Sequence, residues 1–331
     1  MLAAYAHAAA PTLAAVEAVL EALFAPPAPG SHVDAPRDDG TGTGGTVVSL
    51  SLYDLCRDAD VADATLRVTL ALLDVTYGLV RELTPWYAQR KIEPAADGWS
   101  LAAEAAAPGA SPAVKALAAH ADAKKRWTYV DVRAAARATG MTPQALAAAM
   151  DGLVAEGKCA GGDGTKLRAR FQLAAEVPSP ARRAEVAAEL HAALAAREAA
   201  EVARLGDVFD VLAGNQGCLP AALRRRNGDA DLEDGWTCGA CSACTAGPQE
   251  LPRTAADTSS AARTRFAEAV ASAGVPLDDV RLVARFGVGI ASPRILGLKL
   301  TRAPGYGMLA GYDWEVVLAW AEGVRHAVSV S

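Results

Sequence analysis

A chain of 331 residues is too long for one hydrophobic core and long enough for two or three. Hydrophobic residues reach 52%, much of it alanine, and aromatic residues only 5%, a composition of many small-residue helices with thin cores. The net charge of −6 excludes a polycation, so any contact with nucleic acid has to come from local basic patches.

The opening Met1-Leu2-Ala3-Ala4-Tyr5-Ala6-His7 has no basic region, and Glu17 and Glu21 interrupt the Ala/Leu run that follows. It reads as an amphipathic helix, neither a secretory signal nor a membrane span. Leu13, Val16, Val19, Leu20 and Phe24 recur near helical spacing and predict a helix over 12–24. Pro, Gly and Asp then dominate from Ala25 to Gly45, where a flexible loop is expected, so 1–45 forms an N-terminal helix and loop.

Residues 46–95 have the layout of a winged helix. A short helix is expected at 51–56 with Ser51 as its cap, and a longer one from Ala64 to Tyr77, stopped by Gly78, with Leu66, Leu70 and Leu73 inward. Residues 79–92 alternate enough for two strands around a wing, with Pro85 at its tip or edge. The layout repeats at 110–175. Helices are expected from Pro112 to Ala123, from Thr128 to Thr139, and from Thr142-Pro143 onward with Leu146, Met150, Leu153 and Val154 inward. Gly161-Gly162-Asp163-Gly164 would then turn a hairpin as the second wing. The expected architecture is mainly α: tandem winged-helix-like cassettes, a helical four-cysteine zinc-binding subdomain at 180–250 and a C-terminal helical bundle at 258–331.

The third part carries the sharpest motif. After a long helix from Pro180 to Leu212, Cys218, Cys238, Cys241 and Cys244 read C-x19-C-x2-C-x2-C. Thiolates at i and i+3 on a tight turn can share one Zn²⁺, and four sulfurs close its tetrahedron, so the ion would be structural. Two disulfides are the alternative; they need an oxidising compartment, for which the N-terminus gives no sign. Cys56 and Cys159 stand singly in apolar contexts as buried thiols. A Pro/Thr/Ser linker from Gly247 to Ser260 precedes helices expected at 260–273, 278–286 and 313–326.

Three basic patches stand out: Lys124-Lys125-Arg126, Arg224-Arg225-Arg226, and the acid-free set Arg285, Arg294, Lys299 and Arg302 that follows Arg281. Each alone can be a solvated face; together, beside a zinc knuckle, they point to phosphate. Trp86 and Tyr87 would either stack on the end of a duplex or pack between wing and helix. No catalytic constellation appears: His7, His32, His120, His191 and His326 are scattered, and no H-E-x-x-H or G-x-S-x-G motif occurs.

Cys218 … Cys238-Gly239-Ala240-Cys241-Ser242-Ala243-Cys244 resembles the zinc motif that follows the motor in RecQ-family DNA helicases. Ser51-Leu52-Tyr53-Asp54-Leu55, Thr84-Pro85-Trp86-Tyr87-Ala88, the run from Arg197 to Arg204, Cys218-Leu219-Pro220, and stretches from Val283 through Ser292-Pro293 and Lys299-Leu300-Thr301-Arg302 to Glu322 look like the long bacterial-type branch of that family. The resemblance implies the DNA-handling region behind an ATP-dependent 3'-5' motor that acts in unwinding, recombination and repair at duplex–single-strand junctions. It implies structural Zn²⁺ on the four cysteines, no membrane, and a reducing compartment, the nucleus in a eukaryote or the cytoplasm and nucleoid in a bacterium. Family members carry two RecA-like lobes ahead of this region, whereas this sequence contains no G-x-x-x-x-G-K-[ST] loop and no DEAH-type motif, so catalysis by this chain alone is not expected. A motor would act in cis or in trans. In the better-known family layout the zinc subdomain also precedes the winged helix. On this reading Arg224, Arg225 and Arg226 contact phosphates, and the third helices, near Arg67 and Gln144, approach a groove. A protein-interaction adaptor that never touches DNA is the competing reading, and the net charge suits it. A sequence-specific regulator would need a recognition helix rich in Arg, Asn or Gln, which 143–156 is not.

Overall fold

A computed structural model describes residues 6–7, 10–25, 33–34, 46–96, 98–229, 233–250 and 257–330. The loop expected at 25–45 lies outside these residues, apart from Ala25 and the two-residue strand Val33–Asp34.

The chain divides into two compact units that interleave in sequence. One comprises 1–25, 53–76 and 178–331; the other comprises 26–52 and 77–177.

The second unit overturns the expected architecture. It holds one six-stranded antiparallel sheet: β1 (Val33–Asp34), β2 (Val47–Leu50), β3 (Val80–Pro94), β4 (Ala121–Ala123), β5 (Thr128–Val130) and β6 (Cys159–Leu173), in the order β1-β2-β6-β3-β5-β4. The protein is therefore mixed helix and sheet, not mainly α with tandem winged-helix cassettes. The two stretches expected to fold into separate wings pair with each other instead, Val80 opposite Leu173 through to Pro94 opposite Cys159. The helices of the expected 46–95 cassette, Leu52–Ala59 and Asp63–Val75, lie almost wholly in the other unit from its strand.

Two local features explain the misreading. Pro85 sits where the register slips between Leu83 and Trp86, and a bulge needs no ladder N–H from it. Gly164 is no turn residue: a Cβ there would lie 2.2 Å from the Tyr87 ring, so the glycine lets an aromatic ring lie on the neighbouring strand. Thr128–Val130 pairs with β3 and β4, and the helix starts only at Val132, with Asp131 capping the Ala134 N–H at 2.7 Å and Gly140 ending it at φ +71°. Helices Pro112–Ala119, Val132–Thr139 and Pro143–Ala155 close over Ile92, Leu117, Val130, Leu146 and Met150.

The first unit is helical. Thr12 caps Leu13–Phe24, and Ser179 caps the 33-residue helix Pro180–Leu212, which buries Val186, Leu190 and Leu194. Ser260–Ala273, Val280–Val288 and Trp314–Val330 share a core around Phe266, Phe286, Val317 and Trp320. Their crossing is tight: a Cβ on Gly287 would come within 2.8 Å of Phe266. Among the described residues no helix is long and apolar enough to cross a membrane.

Candidate metal centre

After Ala213 the long helix turns through two left-handed glycines, Gly214 at φ +77° and Gly217 at φ +79°. The turn sets Cys218 at the start of the helix Leu219–Arg226, whose Pro220 occupies a first-turn place where no helical N–H is needed. Gly239, at φ +69°, folds the chain between Cys238 and Cys241. The short helix Ser242–Ala246 then carries Cys244 one turn beyond Cys241. Behind it, the Gln249 N–H donates to the Ala213 carbonyl at 2.7 Å and ties the cysteine segment to the end of the long helix. A Cβ on Gly214 would meet that of Ala243 at 2.9 Å, so this position needs glycine for space as well as for φ.

The four sulfurs all lie within 4.8 Å of one another. Cys241 Sγ is 3.4 Å from Cys244 Sγ, Cys238 Sγ is 4.0 Å from it, and all are free thiols. Backbone N–H groups point at three of them: Cys238 to Cys218 Sγ at 3.2 Å, Cys241 to Cys238 Sγ at 3.3 Å, and Leu219 to Cys241 Sγ at 3.4 Å. Such donors favour thiolate over thiol. The Leu219 N–H is the main reason the Cys241 thiol falls to about 6, while its hydrogen bond with Cys241 pushes Cys244 up to about 12. For Cys218, burial pushes the thiol up, but the N–H groups of Cys238 and Ala221 and the neighbouring sulfurs together bring it below its usual value. The remaining cysteines contrast: Cys56 and Cys159 are buried, and desolvation is the main cause raising both thiols.

These four sulfurs could hold one metal ion, with every ligand position filled by protein and none open to water or substrate. Spacing alone marked the cysteines; the glycine turn and the N–H donors that fit the cluster to a cation were visible only in the fold.

The predicted phosphate contacts are dispersed. Arg224, Arg225 and Arg226 lie on the helix that begins beside Cys218, and each has an internal partner. Arg224 Nε meets Asp229 at 2.6 Å, Arg225 donates to the Gln216 carbonyl at 3.0 Å, and Arg226 pairs with Asp207. Lys124 meets Asp122 at 2.9 Å, Arg126 meets Glu93 at 2.5 Å, and Lys125 is exposed. Trp86 is half-buried, with its Nε1 donating to Ser49 Oγ at 3.3 Å and the Arg133 guanidinium 3.8 Å above its ring. Tyr87 lies against Gly164 and is 53% exposed. Three members of the basic run from Arg281 have carboxylate partners, while Lys299 and Arg302 are exposed. Arg281 pairs with Glu198 at 2.7 Å, Arg285 with Asp60 at 2.7 Å, and Arg294 with Asp278 at 2.9 Å.

No protein family, no curated protein and no solved structure matches the chain.

Proposed function

We propose that this protein is a zinc-stabilised DNA-binding module serving a RecQ-like ATP-dependent 3'-5' helicase, its motor supplied in cis or in trans. The observation that carries the reading is the cluster of four free thiols. Four sulfurs around Zn²⁺ at about 2.3 Å stand roughly 3.8 Å apart. The Cys241–Cys244 and Cys238–Cys244 separations of 3.4 and 4.0 Å bracket that value and no pair exceeds 4.8 Å, so shifts of about an ångström admit the ion. The chemistry also fits, since soft thiolates select zinc over the harder divalent cations. Bound there, zinc supplies folding energy and no catalysis.

The DNA part rests on the resemblance of the cysteine run and the flanking segments to the RecQ zinc region. Arg224, Arg225 and Arg226 support it, because their intramolecular pairs are exposed and weak enough for phosphate to displace. The test is binding of the zinc-loaded protein to forked, blunt-duplex and single-stranded DNA over a salt series. Tightest binding to the fork, with affinity falling steeply as salt rises, is expected. Absence of binding at low salt would remove the reading.

A second reading, an adaptor that binds proteins and not DNA, draws support from the net charge of −6. It expects no salt-dependent DNA binding.

A further inference from the structure

A cleft of about 480 Å³ opens within the helical unit. One wall is the long helix Pro180–Leu212, which presents Leu194, Arg197, Glu198, Glu201 and Leu205. Spacings of three and four residues put these side chains on one stripe. The other wall is the helix Asp63–Val75, with Ala64 at the exposed mouth and Val68 inside. Ala6 and Ala10 add to the lining, and the small alanine side chains leave the space between the helices unfilled. The stripe also runs on past the cleft. Val208 and Leu212 follow Leu205 at three and seven residues and are 48% and 57% exposed. From Leu194 to Leu212 the apolar line measures about 27 Å, at about 1.5 Å per residue.

Charge in the cleft is nearly balanced. Glu198 accepts the Ala10 N–H at 2.9 Å, lies 3.6 Å from His7 Nδ1 and pairs with Arg281 at 2.7 Å, while Glu201 pairs with Arg204. Each carboxylate is thus matched by an arginine. Arg197 is the charge left over: it is exposed, and it has no hydrogen-bond or ion-pair partner among the described residues.

We infer that this groove binds an amphipathic helix of a partner protein, with an acidic residue opposite Arg197. Two helices that stand apart over an apolar floor accept a third helix, whose side chains at i, i+3, i+4 and i+7 enter the groove. A line of about 27 Å needs about 18 helical residues, which is longer than any small ligand. The carboxylate follows from the unmatched guanidinium, which it meets as a charge-assisted pair. DNA is not the occupant, because phosphates would find one cation on an apolar wall. A second copy of the long helix fits poorly, since Arg197, Glu198 and Glu201 interrupt its own stripe. The inference is independent of the DNA reading and gives the helical unit a separate protein contact.

The experiment titrates the zinc-loaded full chain with labelled helical peptides of about 18 residues. Two share a Leu face at spacings of three and four and differ in one flanking edge, Glu in the first and Lys in the second. A third keeps the Glu edge and has Ser in place of Leu. The Glu-edged Leu peptide is expected to bind at least about tenfold more tightly than either other peptide. Arg197→Glu should reverse the preference between Glu and Lys edges. Ala64→Trp, at the exposed mouth, fills the cleft and should weaken the Glu-edged Leu peptide at least about tenfold. No binding by that peptide, equal binding of all three, or wild-type affinity in either variant overturns the inference. Sedimentation of the peptide-free chain supplies the last check. It should show no self-association that Ala64→Trp removes; if it does, the groove takes a second copy and the inference falls.

Discussion

The carboxylate of Asp60 lies 2.7 Å from Nη1 of Arg285, and the two side chains are only 1% and 4% exposed. The other Asp60 oxygen accepts the Arg294 N–H at 2.9 Å, and Arg285 Nη2 donates to the Ala10 carbonyl at 3.3 Å. One buried pair thus joins the N-terminal segment, the turn after Leu52–Ala59 and two C-terminal helices.

Removing one partner of such a pair leaves the other charge buried and uncompensated. Asp60→Asn keeps an oxygen for Arg294 and tolerates the left-handed backbone at φ +52°, so it isolates the charge. A loss of about 3–5 kcal/mol in urea unfolding at neutral pH is expected. A loss below about 1 kcal/mol, the range of exposed pairs, would mean that water reaches the site.

Metal removal should unfold the cysteine segment and spare the sheet. With a strong chelator, limited proteolysis should open the chain between Ala213 and Gln249, while fragments covering 77–177 stay protected. Cys241→Ser should reproduce this without chelator. Equal protection of both regions before and after chelation would show that the sulfurs hold no stabilising ion.

Gly214→Ala tests the turn that presents Cys218. The added methyl meets Ala243 and forces a left-handed residue to accept a side chain, so the metal should bind at least about tenfold more weakly. Gly217→Ala supplies the control, since it meets nothing within 4 Å and suffers only the backbone penalty. Competition with a chromogenic chelator reads both, and equal effects would refute the packing argument.

Lys158 Nζ lies 2.6 Å from Glu104 and 2.8 Å from Glu156, and Trp99 Nε1 donates to Glu104 at 3.2 Å. The Glu104 hydrogen bond is the chief cause that lifts the Lys158 ammonium from 10.5 to about 12. A raised folded value stabilises fully below the unfolded value and is lost as pH rises through the folded one. Between about pH 10.5 and 12 the wild type should therefore lose stability faster than Glu104→Gln, as read from thermal midpoints. Parallel curves for the two proteins would show that the contact does not matter in solution.

Helices were legible where local signals agree. The helices expected over 12–24, from Thr142-Pro143 and from Pro180 are kept by the structure, and Leu66, Leu70 and Leu73 are buried as expected. The cysteines were legible because their spacing is chemistry. The sheet was not, because pairing is non-local: Gly161–Gly164 looks like a turn until β3 is known to run beside it with Tyr87 over Gly164. A period-two signal did exist in Arg168-Ala169-Arg170-Phe171-Gln172-Leu173, and it sorts the side chains onto two faces once strand replaces hairpin. The ion pairs of Arg281 and Arg285 were not legible for the same reason, since their carboxylate partners, Glu198 and Asp60, are distant in sequence.

The interleaving of the two units sets an order of events during synthesis. Asp60 and Arg285 are 225 residues apart, so at about 5–20 residues per second the ribosome delivers the arginine roughly 10–45 s after the aspartate. Both long strands of the sheet are made by residue 173, well inside that interval. On the nascent chain the sheet unit can close while the first helices, already synthesised, still wait for the segment that will cover them.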